Sequence, residues 1–400
     1  MASFASLITG LGIARALGPK AFGEYGIIQS TLSTFFVFVG PAASLTATKT
    51  IAEMRRHDIR GAGDFIGVFT LITIAASAFL AAIMWAISGY LAISIYGQPD
   101  LAQYLRIASI AMFATSLGTV QQGALAGFDD FKSVAKTNAV RSVSLVVLTW
   151  AGVRWAGLQG AVWALALSAA LGVLVGEYLF RRITSENGIR PRIGGIRGNT
   201  RLVWKFSLPA MLTSAIALIA MWLGGALLIR QEHGLEQFGI FTAANQWRTV
   251  MLFIPNLLVV PFLPRLSSAN AAGDVATFRR LTKISIAATT FSVLATAVGA
   301  AALADIIMKG YGTAFADGKD TLRYVVLATV LCGPSISIIQ AINALGRPWA
   351  VVRVHLVWAG VFCVMLAINP NKGALGLSQA YVASYAIQLM FFWKANLHRP

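Results

Sequence analysis

Charged residues are scarce: Asp, Glu, Lys and Arg make up 12% of the 400 residues, about half the ~25% of ordinary soluble domains. With 57% hydrophobic residues and a mean hydropathy of +0.71, this composition excludes a water-soluble globule and points to a polytopic membrane protein. Cysteine is limited to Cys332 and Cys363, each inside an apolar run without metal-ligand neighbours, so both read as packed thiols. His57, His233, His355 and His398 are scattered, with no His-Glu-x-x-His or Cys partner. The nearest approach to a phosphate loop, Gly312 to Asp320, has one residue too many and no Ser or Thr after Lys319. Soluble-enzyme chemistry is therefore not expected, and neither is a cofactor or a metal. Asp129-Asp130 could in principle hold a divalent ion, but reads better as a solvated acid pair beside Lys132. The N-terminus lacks a basic leader region and a clear cleavage site, so no removable signal peptide is read.

What the chain has instead is long apolar runs. Runs of about 20 residues, enough to cross a bilayer, fall at 2–17, 22–46, 65–88, 105–126, 134–155, 157–180, 206–229, 238–262, 284–308, 324–345, 350–368 and 374–393. Their continuity excludes a β-barrel, whose strands alternate in segments of about ten. The first run is short, so either neighbours complete that helix or the true start lies upstream. The net charge of +17 and pI of 10.4 come from cations between the runs, which argues for topology rather than a nucleic-acid partner. Lys and Arg in the loops after even-numbered spans and at the C-terminus number 22, against nine on the other side. This asymmetry places both termini in the cytoplasm, beside anionic membrane lipids. Its largest single contribution is the basic stretch 181–205, which divides a six-helix bundle at 1–180 from a second at 206–400. Its glycines and proline suit a compliant linker.

The halves repeat. Gly18-Pro-Lys-Ala-Phe22-Gly23-Glu-Tyr25 faces Gly234-Leu-Glu-Gln-Phe238-Gly239-Ile-Phe241, and Gln121 with Gly127 matches Gln340 with Gly346. Six spans separate the copies, so they share one orientation in the membrane. Polar side chains inside the bilayer are costly and mark cavities or partners. The densest set is Asn245, Gln246 and Arg248 in the eighth span, whose counterparts in the second span are Gln29, Ser30 and Leu32. Arg248 could grip a phosphate or pyrophosphate with its bidentate fork, or snorkel to the interface. Arg141 in the fifth span and Arg353 in the eleventh sit toward the cytoplasmic side, and Arg15 could line a cavity from the other side. Glu177 is read as the i, i+4 partner of Arg181 rather than as a coupling group.

Ala14-Arg15-Ala16-Leu17-Gly18-Pro19-Lys20-Ala21-Phe22-Gly23-Glu24-Tyr25-Gly26, the charged Ile51 to Arg56, Phe206-Ser-Leu-Pro209, and Phe238-Gly239 with Ala243-Ala244 resemble polysaccharide repeat-unit flippases of the Wzx type. These belong to the multidrug/oligosaccharidyl-lipid/polysaccharide exporter superfamily. The resemblance implies an all-α, MATE-like flippase fold of about twelve transmembrane helices in two pseudo-twofold related six-helix bundles. It further implies an inner-membrane transporter of undecaprenyl-pyrophosphate-linked oligosaccharides, working by alternating access beside glycosyltransferases and a polysaccharide polymerase. On that reading Arg248, Asn245, Gln246, Arg15, Gln29, Arg141 and Arg353 are the substrate-cavity candidates. A multidrug antiporter of the same superfamily, or an integral-membrane enzyme modifying glycans, are the alternatives. The first would ordinarily want a membrane-buried carboxylate, and the second a long extramembrane loop with clustered acids.

Overall fold

The computed structural model describes residues 2–55, 58–189, 192, 208–369 and 372–396, and among them every regular element is a helix. The long ones are α1 (Ala2–Phe36), α2 (Gly40–Met54), α3 (Ile59–Ala86), α4 (Leu101–Gly127), α5 (Phe131–Glu186), α6 (Leu208–Ile229), α7 (Gly234–Met251), α8 (Val275–Ala302), α9 (Lys319–Ala344), α10 (Pro348–Ile368) and α11 (Gly373–Asn396). Among the described residues seven helices are individually long and apolar enough to span a membrane, or eight if the bent pair Ser3–Phe36 and Gly40–Met54 is one span. That count takes α5 as one helix, but its 56 residues would reach roughly 84 Å if straight. Ala156 and Gly157 leave helical geometry, Gly157 at φ 56° and ψ −131°, and the chain turns back there. Gly152 and Gly160 then meet backbone to backbone, so that a Cβ on Gly160 would lie 1.9 Å from the Gly152 carbonyl oxygen. The expected spans 134–155 and 157–180 are the two arms of this hairpin. Elsewhere the expected spans overlap helices, but 22–46 is broken at 37–39, 238–262 at Leu252 and 284–308 at Leu303, so these three are not single straight helices; the fold is all-α.

The chain divides into two compact units, one of Met1–Ile13 with Ile27–Leu218, the other of Ala14–Gly26 with Ile219–Pro400. In the first, α4 packs against α2, α3 and α5. It buries Leu105, Ala108, Met112 and Leu125, while small residues admit its neighbours closely: a Cβ on Gly123 would sit 2.4 Å from the Ser44 carbonyl of α2. At one end Ile51, Ile66, Leu125, Phe128 and Phe180 form an apolar cluster. The polypeptide leaving α5 runs back along α3, where the Arg192 amide donates to the Gly63 carbonyl at 3.1 Å. Helix α5 reaches Glu186, carrying Arg181 and Arg182 as i, i+4 partners of Glu177 and Glu186, both at 2.7 Å. The rest of the 181–205 linker, apart from Ile189 and Arg192, lies largely outside the described residues.

In the second unit α9 packs against α7, α8, α10 and α11, so the corresponding helix of each half is central. The repeat motif explains why Ala14–Gly26 sits here. A Cβ on Gly23 would lie 1.9 Å from the Leu235 carbonyl oxygen and 3.0 Å from the Gly239 amide nitrogen; one on Gly239 would lie 2.0 Å from the Pro19 carbonyl and 3.1 Å from the Gly23 amide. Leu235 precedes Gly239 by four residues, as Pro19 precedes Gly23, so the contact is reciprocal. Two copies of one motif pack backbone to backbone through the second glycine of each, Gly23 and Gly239. Phe22, Tyr311 and Phe315 close over it, with centroids about 6 Å apart. The repeat also shows in the helix breaks. A shift of 216 residues carries the end of α1 at Phe36 onto Leu252, where α7 ends, and the positive-φ Gly157 onto Gly373. Pro41 and Pro255 supply the cause of the two breaks, since proline removes a helical donor and clashes one turn back.

Candidate functional site

The first unit contains a cavity of about 390 Å³. Its walls are single helix faces. Gln29, Leu32, Ser33 and Phe36 are at one-turn spacing on α1; Ala111, Thr115 and Thr119 form an i, i+4, i+8 stripe on α4; Arg141 with Leu145 and Leu165 with Ser168 come from the two arms of α5. Arg141 is ten residues into α5, roughly 15 Å from its start. Its aliphatic stem lies over Gly172 of the returning arm, whose absent side chain leaves 3.4–3.7 Å clearance to the Arg141 carbons. One Nη2 donor reaches Thr115 Oγ1 at 3.3 Å. The cavity thus presents one guanidinium, three hydroxyls on α4 and α5, a further hydroxyl and an amide on α1, and no carboxylate among its lining residues. Such a donor set suits an anionic, hydroxyl-bearing ligand.

The second unit fills the corresponding place. The 216-residue shift takes Leu32 to Arg248, Leu165 to Tyr381 and Ala169 to Tyr385. Arg248 Nη2 donates to Tyr385 Oη at 2.6 Å and lies 3.9 Å from Cys332 Sγ, with its guanidinium carbon 5.6 Å from both tyrosine ring centroids. Trp358 and Phe362 stack behind, at 5.4 Å between centroids. None of these partners is a carboxylate; the charge is held by a hydroxyl and by aromatic faces. Arg248 Nε and Asn245 Oδ1 are buried without hydrogen-bond partners, and Gln246 Oε1 accepts from Tyr311 Oη at 3.0 Å. The three residues of the eighth span are therefore separated in role: Arg248 points into the tyrosine cluster, while Gln246 joins the packing beneath the glycine contact.

Of the sequence-nominated residues, the structure unites Gln29 and Arg141 in one cavity and gathers Asn245, Gln246 and Arg248 in the other unit. Arg15 and Arg353 are neither among the residues lining this cavity nor part of the Arg248 cluster. Arg15 is exposed, and its Nε donates at 2.5 Å to the Gly310 carbonyl at the end of the helix Ala304–Tyr311, an arginine at a helix C-terminus. Arg353 is exposed on α10. Glu177 bonds Arg181 and also accepts from Gln121 Nε2 at 3.0 Å. Asp129 pairs with Arg55, and Asp130 caps α5 by accepting from the Ser133 amide at 3.0 Å. Both acids of that loop thus have structural partners, and among the described residues no group of three or more His, Cys, Asp or Glu could hold a metal. Sequence reasoning missed Ser33, Thr115, Thr119, Ser168, Tyr381 and Tyr385. The 216-residue shift, extended from the second helix of each half to the sixth, would have pointed to the tyrosines.

The fold defines a class first: a polytopic membrane protein with the architecture of MATE transporters. The chain superposes on a multidrug resistance MATE family transporter of the MOP superfamily in an inward-facing conformation, with TM-score 0.86, 15% identity, and 98% and 93% of the two chains covered. A MOP superfamily transporter from Pyrococcus furiosus gives TM-score 0.70, 15% identity and 98% and 91% coverage. The family follows from sequence: residues 13–317 match the family described as "Polysaccharide biosynthesis protein", and the chain belongs to it. It is similar to the EPS I polysaccharide export inner membrane protein EpsE of Ralstonia nicotianae, 23% identical over 402 residues, covering 97% of this chain and 88% of that protein. It is also similar to the Lipid III flippase of Escherichia coli, 22% identical over 394 residues, covering 96% and 92%.

Proposed function

We propose that this protein is an inner-membrane flippase that carries undecaprenyl-pyrophosphate-linked oligosaccharide repeat units from the cytoplasmic to the periplasmic leaflet by alternating access, for surface polysaccharide synthesis. The observation that carries the reading is the 390 Å³ cavity in which Arg141 stands among hydroxyls and an amide with no lining carboxylate. A pyrophosphate would take the guanidinium as a charge-assisted bidentate partner, and Gln29, Ser33, Thr115 and Ser168 offer hydrogen bonds for the first sugar. The volume suits that head portion and not a whole repeat unit. The polyprenyl tail would stay in lipid. The names of the relatives, one for polysaccharide export and one for lipid III flipping, support the substrate class. Arg248, held by Tyr385, serves in this account as a positioning group of the second unit. The lysine and arginine asymmetry supports cytoplasmic termini, and the membrane-bound glycosyltransferases and polymerase are the expected neighbours in the pathway.

The multidrug-antiporter alternative is disfavoured because the cavity's lining offers an organic cation no acid. The reading is tested by reconstituting the protein in vesicles carrying a fluorescent undecaprenyl-pyrophosphate oligosaccharide and following its accessibility to an external quencher. Time-dependent exchange beyond protein-free vesicles is expected for the lipid-linked glycan. Exchange indistinguishable from protein-free vesicles, with cationic drugs transported instead, would overturn it.

A further inference from the structure

The second unit has another cavity, unrelated to the Arg248 cluster. It is a cleft of about 250 Å³ between α8, α9 and α11, walled by Phe278, Thr282, Ile286, Ile338, Leu345 and Phe392 among others. Its sole hydroxyl, Thr282 Oγ1, is already spent on the Phe278 carbonyl at 2.9 Å, so the cleft offers apolar surface only. Phe278 to Ile286 measures roughly 12 Å along α8. The cleft is too small for a protein helix, which is 10–12 Å across, but it fits a hydrocarbon chain.

The rim decides which chain. The cleft lies where α8 begins and α9 ends, and this end carries Arg279, Lys283 and Arg347, all exposed and without an ion-pair partner among the described residues. On a helix turning about 100° per residue, Arg279 and Lys283 flank the face formed by Phe278, Thr282 and Ile286. Arg347 follows two residues after Leu345. A narrow apolar slot with unpaired cations at its mouth matches a head-and-tail amphiphile bearing a negative charge, and basic pockets between membrane helices on the cytoplasmic side bind anionic lipid headgroups. We propose that this cleft binds one anionic phospholipid, with an acyl chain between α8, α9 and α11 and the phosphate on Arg279, Lys283 and Arg347. The site is separate from the transport cavity and stands whatever that cavity carries.

Native mass spectrometry of the full-length protein in detergent tests it, with phosphatidylglycerol, phosphatidylcholine and undecaprenyl phosphate offered at equal concentration. Phosphatidylglycerol is expected as the retained adduct. Each neutralised cation in Arg279→Gln and Lys283→Gln should lower its retention about fivefold, the equivalent of about 1 kcal/mol, and the pair about 30-fold. Ile286→Trp, which fills the cleft and keeps the rim, should also remove the adduct; monodisperse elution and unchanged helical circular dichroism establish that each variant is folded. Equal retention of phosphatidylcholine, preferential retention of undecaprenyl phosphate, or a phosphatidylglycerol adduct insensitive to Ile286→Trp would each overturn the proposal.

Discussion

Replacing Gly23 with alanine tests the packing on which the second unit is built. The new Cβ would lie 1.9 Å from the Leu235 carbonyl oxygen, whereas an unstrained carbon-to-oxygen contact is about 3.3 Å. The two helices must therefore separate by roughly 1.4 Å over their crossing. No side chain can rotate away, because the obstacle is backbone, and Phe22, Tyr311 and Phe315 are fully buried around it. The cost belongs at the upper end of overpacking penalties, about 3 kcal/mol. Gly239→Ala should match it, since its Cβ would meet the Pro19 carbonyl at 2.0 Å. The control is Gly360→Ala on α10, where nothing lies within 4 Å of the new carbon and alanine's helix propensity should stabilise by about 0.5–1 kcal/mol. Thermal unfolding of the purified proteins in detergent, read by tryptophan fluorescence and size-exclusion chromatography, should show a marked fall for the first two variants and none for the third. Gly23→Ala and Gly239→Ala as stable as Gly360→Ala would refute the reciprocal backbone contact.

Gly157→Ala places a side chain at φ 56°, ψ −131° and should cost about 1–3 kcal/mol, visible as a lower unfolding temperature. Tyr385→Phe removes the hydrogen bond to Arg248 and should destabilise by about 1.5–3 kcal/mol, while transport by the folded fraction stays near wild type; unchanged stability would count against the arginine-tyrosine lock. Shortening the 193–205 stretch should impair transport more than exchanging two of its arginines for glutamine, and equal tolerance of both would count against its role as a tether.

Much of the fold is legible in the sequence because its signals are local. Apolar runs locate the helices, Pro41 and Pro255 lie at two of their breaks, and the Phe-Gly motif marks the repeat. The meaning of Gly23 and Gly239 is not local: each reads as a small helical residue, and only their meeting shows why neither can carry a Cβ. The site is less legible for a related reason. Arg248 is conspicuous as a charge inside a span, but the aromatic cluster that holds it comes from α11, where Tyr381 and Tyr385 look like ordinary apolar positions. Arg141 stands out in the sequence only as a cation toward one end of a span; its neighbours in the cavity, Gln29, Ser33, Thr115 and Ser168, come from α1, α4 and the returning arm of α5 and are brought to it by the fold. Thr115, Thr119 and Ser168 carry no signal at all, since membrane-helix hydroxyls usually bond their own helix, as Thr119 does to the Thr115 carbonyl at 2.8 Å.

The central claim is that the first unit's cavity holds the anionic head of a lipid-linked glycan through Arg141. Its most direct measurement is the rate at which reconstituted Arg141→Gln and Arg248→Gln proteins move labelled undecaprenyl-pyrophosphate oligosaccharide, each normalised to folded protein. The account predicts a loss of roughly 10- to 100-fold for Arg141→Gln, the worth of one charge-assisted interaction, and a much smaller loss for Arg248→Gln. Wild-type rates in folded Arg141→Gln, or a larger loss in Arg248→Gln, would contradict it.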